Sequence, residues 1–245
     1  MELKGKAWLV TGGGTGLGRA IALLAARGGA DVAVNYSKSR ADAEQTVADL
    51  KALGVRAAAI QGDVAHEAPL VVDRAAEALG RLDVLVNNAG TTVFVPFRDL
   101  DGISEADWDR VMAVNVRASF LGSRAAAKHM PGGGAICNIA SIGGLRPAGS
   151  SLVYSVSKAA LIHLTRGLAV ALAPKIRVNC VAPGLLDTRW TEGHSREFIE
   201  NENRNSMLGH IPTVEDTAAA TVALCLNESV TGQVLAVDSG ATLHH

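Results

Sequence analysis

At 245 residues the chain has the length of one substantial α/β domain with a large core. Hydrophobic residues make up 48% but aromatics only 4%, so the core must be built from Ala, Val, Leu and Ile, which suits a parallel sheet buried under helices. A net charge of -1, with no basic stripe or acidic tail, argues against nucleic acid or an anionic membrane surface as a partner.

The first predicted strand, Ala7–Val10, runs into a glycine-dense loop, Thr11 to Gly18, and helical periodicity follows over Leu17–Ala26. A strand, a tight glycine turn and a helix N-terminus form a ready site for a dinucleotide pyrophosphate, since backbone amides and the helix dipole meet there. Gly12, Gly16 and Gly18 read Thr-Gly-x-x-x-Gly-x-Gly, with Gly14, Thr15 and Leu17 completing the turn. Further strands are predicted at Val32–Asn35, Ala57–Gln61, Val84–Asn87, Ala135–Ile139, Arg177–Val181 and Val234–Val237. Helices are predicted between them at Arg40–Leu53, Glu67–Leu79, Glu105–His129, Ser151–Ala173 and Val214–Leu226, the last opened by Thr213 with Asp216. This alternation predicts one α/β domain over 1–245, a single doubly wound parallel sheet with right-handed crossovers and helices on both faces.

From Leu185 to Ile211 the rhythm breaks into a segment holding Trp190, His194, Phe198, Met207 and Leu208 among many charges. After a strand's carboxyl end such a segment reads as a ligand-covering lid, the other reading being a surface excursion or subunit contact. No secretory leader or membrane-spanning stretch is read. Cys137, Cys180 and Cys225 are odd in number and embedded in apolar runs. They read as buried thiols in a reducing compartment, the cytoplasm, rather than as disulfides or a metal site.

Tyr154 and Lys158 stand one helical turn apart in Tyr-Ser-Val-Ser-Lys, with Ser141 upstream. On a helix such positions share a face. An ammonium beside a phenol favours the phenolate and lowers its pKa from about 10 toward the range useful for acid–base catalysis.

The glycine loop, this pair and the order of elements together resemble the short-chain dehydrogenase/reductase family in its single-domain form, over nearly the whole chain. Asn87-Asn88-Ala89-Gly90, Val114-Asn115, Pro183-Gly184, Thr231-Gly232-Gln233 and Val237-Asp238-Ser239-Gly240 extend the resemblance in the expected order. It implies a Rossmann-type fold and a catalytic set of Asn115, Ser141, Tyr154 and Lys158. Tyr154 would exchange a proton with a carbonyl or alcohol oxygen, which Ser141 also binds. Lys158 would lower the tyrosine pKa and hold the nicotinamide ribose, and Asn115 would position a water linking Lys158 to solvent. The resemblance also implies that Asn88, Ala89 and Gly90 line the cofactor. Asp63, beside Val64, would bind the adenine amino group or else cap a loop, and Pro183, Gly184 and Thr188 would approach the carboxamide.

An acid at the end of the second strand selects NAD by binding the ribose 2′-hydroxyl. Here the stretch Val34 to Arg40 carries none, and Ser37, Lys38 and Arg40 offer a hydroxyl and cations instead. NADP(H) is therefore the expected cofactor, with NAD(H) the alternative. The closest family flavour is the 3-oxoacyl-[acyl-carrier-protein] reductases, but only Lys128 and Lys175 remain of their basic carrier-gripping positions. A small free ketone or secondary alcohol is expected, bounded by Ser141, Ile142, Gly143 and Trp190. The alternatives are a 3-oxoacyl thioester, or an idle nucleotide-binding protein. Relatives of this size imply a homotetramer or homodimer.

Overall fold

The computed structural model describes residues 1–191 and 195–243, except for the side chain of Trp190. Among these residues seven strands form one sheet: β1 (Ala7–Val10), β2 (Asp31–Tyr36), β3 (Ala57–Gln61), β4 (Val84–Asn87), β5 (Gly134–Ile139), β6 (Ile176–Pro183) and β7 (Val234–Val237). Their order is β3-β2-β1-β4-β5-β6-β7, and every pairing is parallel. This is the doubly wound, Rossmann-type sheet expected from the alternation. Between β1 and β4 the winding reverses, and there the carboxyl ends of the strands part to leave a crevice.

Strand alternation splits the core in two. Trp8 and Val10 of β1 point to one face, covered by α1 (Gly16–Arg27), α2 (Arg40–Ala52) and α8 (Val214–Leu226). Ala7 and Leu9 point to the other, covered by α3 (Val64–Leu79), α5 (Ala118–His129) and α6 (Leu152–Leu172). The three cysteines are buried free thiols. Among the described residues no helix is long and apolar enough to cross a membrane.

Three departures from the predicted elements have local causes. The predicted helix at Glu67 begins a turn earlier, because Asp63 caps it: its Oδ1 accepts the Ala65 amide at 3.0 Å. Pro69 inside α3 has no N–H for the Ala65 carbonyl, and Arg117 Nη2 donates to that carbonyl instead, at 3.0 Å. The predicted helix Glu105–His129 is not uniform. It runs as α4 (Glu105–Met112), widens into a π-helical turn at Ala113–Arg117 and continues as α5, with Asn115 at the middle of the wide turn. Within the segment after β6 lie a short turn, Arg189–Thr191, and α7 (Arg196–Arg204), capped by Ser195 through the Phe198 amide at 3.1 Å.

Candidate active site

The crevice is a long cleft, and its first wall is the glycine loop, Gly12 and Gly14 to Gly18. Thr15, the cap of α1, is extended and makes no side-chain capping bond, and the first turn of α1 carries no acid. The helix's first amides and its positive dipole end are thus left to an anion. Gly16 sits at φ 51, in the left-handed region that costs other residues about 1–2 kcal/mol. A Cβ on Gly18 would collide with the Gly12 carbonyl and lie 2.6 Å from Asn88 Nδ2. A helix start packed this closely against the loop, with its first amides uncapped, fits a dinucleotide pyrophosphate.

Side chains to which the sequence reading gives no such bracing role hold the loop. Thr11 Oγ1 accepts the Asn88 and Ala89 amides at 3.0 Å each, and Asn88 Nδ2 donates to the Thr11 carbonyl at 2.9 Å. Buried Asn35 is the penultimate residue of β2: its Oδ1 accepts the Gly12 amide at 3.4 Å, and its Nδ2 donates to the Ile60 and Gly62 carbonyls at 3.1 and 2.9 Å. Thr46 of α2 donates to the Gly14 carbonyl at 3.0 Å. The available signal was polarity: Asn35 interrupts an otherwise apolar run.

Ser141, Tyr154 and Lys158 line the cleft together. Ser141 caps the turn Ile142–Gly144, its Oγ accepting the Gly143 amide at 3.0 Å. Tyr154 lies in the first turn of α6, its amide held by the Ser151 cap at 3.3 Å. The Ser141 hydroxyl hydrogen-bonds the Tyr154 phenol. Lys158 Nζ donates to the Ile139 carbonyl at 2.8 Å and sits 5.6 Å from the centre of the Tyr154 ring. It is only 3% exposed.

Burial dominates both titrations. Although its ring is half-buried by surface, the phenol is pushed up to about 12, with the Ser141 bond pulling the other way. Lys158 is brought down to about 8. The phenol lowered by its lysine, expected from the spacing, is therefore corrected among the protein's own groups. Lys158 lies over the ring and donates its hydrogen bond to the Ile139 carbonyl, so desolvation outweighs its field.

Asn115 lies behind the cleft wall and is 1% exposed. Its Oδ1 accepts the Thr91 amide at 2.8 Å, and its Nδ2 donates to the Thr91 carbonyl at 3.0 Å and to Ser157 Oγ at 2.9 Å. Ser157 in turn donates to the Tyr154 carbonyl at 2.7 Å. The amide is thus a strut joining the loop after β4 to the helix that carries Tyr154, a role with no signature in the spacing.

Asn88, Ala89, Gly90, Val64 and Asp63 line the cleft on one side, and Pro183, Gly184, Thr188, Ile142 and Gly143 on the other. Ser37 and Lys38 also face it. Arg40 does not: its guanidinium pairs with Glu44 one turn on, at 2.7 Å. The side chain of Trp190 lies outside the described residues. Phe94, which the reading missed, lines the cleft with Phe198.

Comparison with known proteins points the same way. A family profile described as enoyl-(acyl carrier protein) reductase matches residues 12–242. The chain belongs to the short-chain dehydrogenase/reductase family. This short-chain dehydrogenase/reductase is an NAD(P)-dependent oxidoreductase. A relative from Streptomyces violaceoruber, provisionally named granaticin polyketide synthase ketoacyl reductase 2, is 41% identical over 242 residues, or 96% of this chain and 95% of its own. L-rhamnose 1-dehydrogenase (NAD(P)(+)) of a Sphingomonas species is 38% identical over 253 residues, 97% and 96% of the two chains. The crystal structure of a short-chain dehydrogenase from Burkholderia cenocepacia in complex with NADP matches with a TM-score of 0.91 at 40% identity, covering 99% of this chain and 100% of that one.

Proposed function

We propose that this enzyme reduces ketones to secondary alcohols with NADPH as the preferred cofactor, Tyr154 being the general acid. The observation that carries the reading is the convergence of the Ser141 hydroxyl, the Tyr154 phenol and the Lys158 ammonium on one stretch of the cleft wall. The glycine loop, Asn88 to Gly90 and Pro183 to Thr188 would hold a nicotinamide dinucleotide, whose reduced form supplies hydride to the carbonyl carbon. As charge builds on the carbonyl oxygen, Ser141 donates a hydrogen bond to it and Tyr154 gives up its proton to it. Lys158, charged at neutral pH with a pKa of about 8, steadies the phenolate left behind. A phenol raised to about 12 keeps its proton across the physiological range, as a group that donates to the carbonyl oxygen must.

Preference for NADPH is supported by the loop Ser37–Ser39, which faces the cleft with one cation and no carboxylate. The first acid beyond it, Asp42, is engaged by Arg189 at 2.7 Å. Phe94, Phe198, Ile142 and Leu186 along the cleft favour an apolar or aryl substituent on the ketone. The segment 185–211 would act as the lid of a one-domain enzyme. Exposed Trp108 and Phe120 on the α4–α5 helix, Val156 on α6 and Leu235 on β7 favour self-association into a dimer or tetramer. The three buried thiols fit a reducing compartment such as the cytoplasm.

Oxidation of NADPH and NADH should be followed against aryl ketones, 3-oxo esters, 3-oxoacyl thioesters and aldoses. The expected result is NADPH-dependent turnover of apolar ketones, abolished about 10²–10⁴-fold by Tyr154→Phe. Turnover of 3-oxoacyl thioesters alone would instead favour the second reading, which the ketoacyl reductase relative supports. Undiminished turnover by Tyr154→Phe would remove the tyrosine from the chemistry.

A further inference from the structure

The segment after β6 crosses the cleft and is fastened at its far side. Gly184, Leu186 and Thr188 line the cleft, and a Cβ on Gly16 would lie 3.5 Å from Thr188 Cγ2, so the segment passes against the glycine loop. Its tip is folded upon itself. The Thr188 amide donates to Thr191 Oγ1 at 3.1 Å, the Thr191 amide donates to the Thr188 carbonyl at 2.8 Å, and Thr191 Oγ1 contacts Asp187 Oδ1 at 3.1 Å. From this turn Arg189 reaches α2, where its Nη1 and Nη2 donate to Asp42 Oδ2 and Oδ1 at 2.7 and 2.8 Å. The two partners are 147 residues apart in sequence. Two parallel bonds between a planar guanidinium and a carboxylate fix orientation as well as distance. Asp42 stands in the first turn of α2, next to the Ser37–Ser39 loop that faces the cleft.

We propose that the Arg189–Asp42 pair is a latch that fastens the strap Gly184–Thr191 across the cleft and so sets how fast the bound dinucleotide leaves. This rests on the reading of the cleft as the dinucleotide site. A dinucleotide lying along the glycine loop has the strap against it, and the strap lifts freely only when both Arg189–Asp42 bonds part. The pair bridges the two sides of the cleft through its own side chains, so both are positioning residues. Their side chains are 57% and 32% exposed. Such a pair is of modest strength, which suits a clasp that opens once per turnover rather than a lock.

The test is stopped-flow displacement of NADPH from the full chain carrying Asp42→Asn, Arg189→Gln, or both. Each single variant is expected to raise the dissociation rate by about threefold to fivefold. The double variant should be no faster than the singles, because losing one partner already opens the latch. Hydrogen exchange at the Thr191 amide, measured without added nucleotide, should quicken alike in all three variants. Dissociation unchanged in both singles would overturn the latch, and so would effects that multiply in the double variant. Either result with normal NADPH binding by the wild type leaves the cleft reading standing. A wild type that binds neither NADPH nor NADH would overturn that reading and the latch with it.

Discussion

Lys158 is nearly sealed from solvent, yet its ammonium donates to a neutral carbonyl, that of Ile139. A cation kept there is costly, and its fall from 10.5 to about 8 corresponds to roughly 3 kcal/mol at neutral pH. The sign of the linked pH effect follows from proton counting. Between about pH 8 and 10.5 an unfolded lysine still binds its proton while the folded one has released it, so stability rises with pH across that window. Tyr154 acts oppositely, because the folded phenol keeps its proton between 10 and about 12 where the unfolded one loses it, and stability falls there. Lys158→Met should therefore melt higher than the wild type at pH 7, by about 1–2 kcal/mol after the Ile139 carbonyl loses its donor, and should lack the rise above pH 8. Paired thermal melts and assays would check it, with activity expected to drop by two or more orders of magnitude. In the wild type the reductive kcat/KM should hold steady up to about pH 8 and decline above it, as Lys158 loses its charge before Tyr154 loses its proton. A rate rising through pH 8–9 in the reductive direction would contradict this order.

At the scale of elements, Pro69 and the wide turn at Ala113–Arg117 form one unit. The proline strips a donor from the Ala65 carbonyl, and Arg117, in that turn, supplies it at 3.0 Å. Arg117→Ala should cost about 1–2 kcal/mol, whereas Pro69→Ala restores an in-helix N–H and should make the same arginine change nearly neutral. Urea unfolding of the two singles and the double variant measures this coupling. The strands were legible because short Val, Ala, Leu and Ile runs between glycine and polar turns leave little choice. The wide turn was not, since Ala-Val-Asn-Val-Arg carries the same apolar spacing as a regular helix. Nor was α7: Arg196–Arg204 holds only Phe198 and Ile199 among polar residues and buries none of them, so no stripe announced it. In the site, Ser141, Tyr154 and Lys158 were legible as a motif. The strut role of Asn115, the inward facing of Lys38 and the outward turn of Arg40 depend on which neighbour each side chain meets. Sequence spacing does not contain that information.

For the molecule as a whole, large apolar side chains reach the surface on several elements. Trp108 and Phe120 belong to the α4–α5 helix, Val170, 82% exposed, to the end of α6, and Leu243 to the C-terminal turn. In the proposed assembly, Phe120→Glu should lower the mass seen by light scattering while the monomer keeps its secondary structure. An unchanged mass would place the contact elsewhere. The strand order carries a further consequence for a chain made from its N-terminus. β1, the first of the seven strands to be synthesised, is an interior strand of the sheet, flanked by β2 and β4. At about 5–20 residues per second, its second edge waits roughly 4–15 s between the emergence of Val10 and that of its partner Val86. During that interval the nascent protein shows a bare, wholly apolar strand edge, with Trp8 in it, to whatever chaperones attend the ribosome.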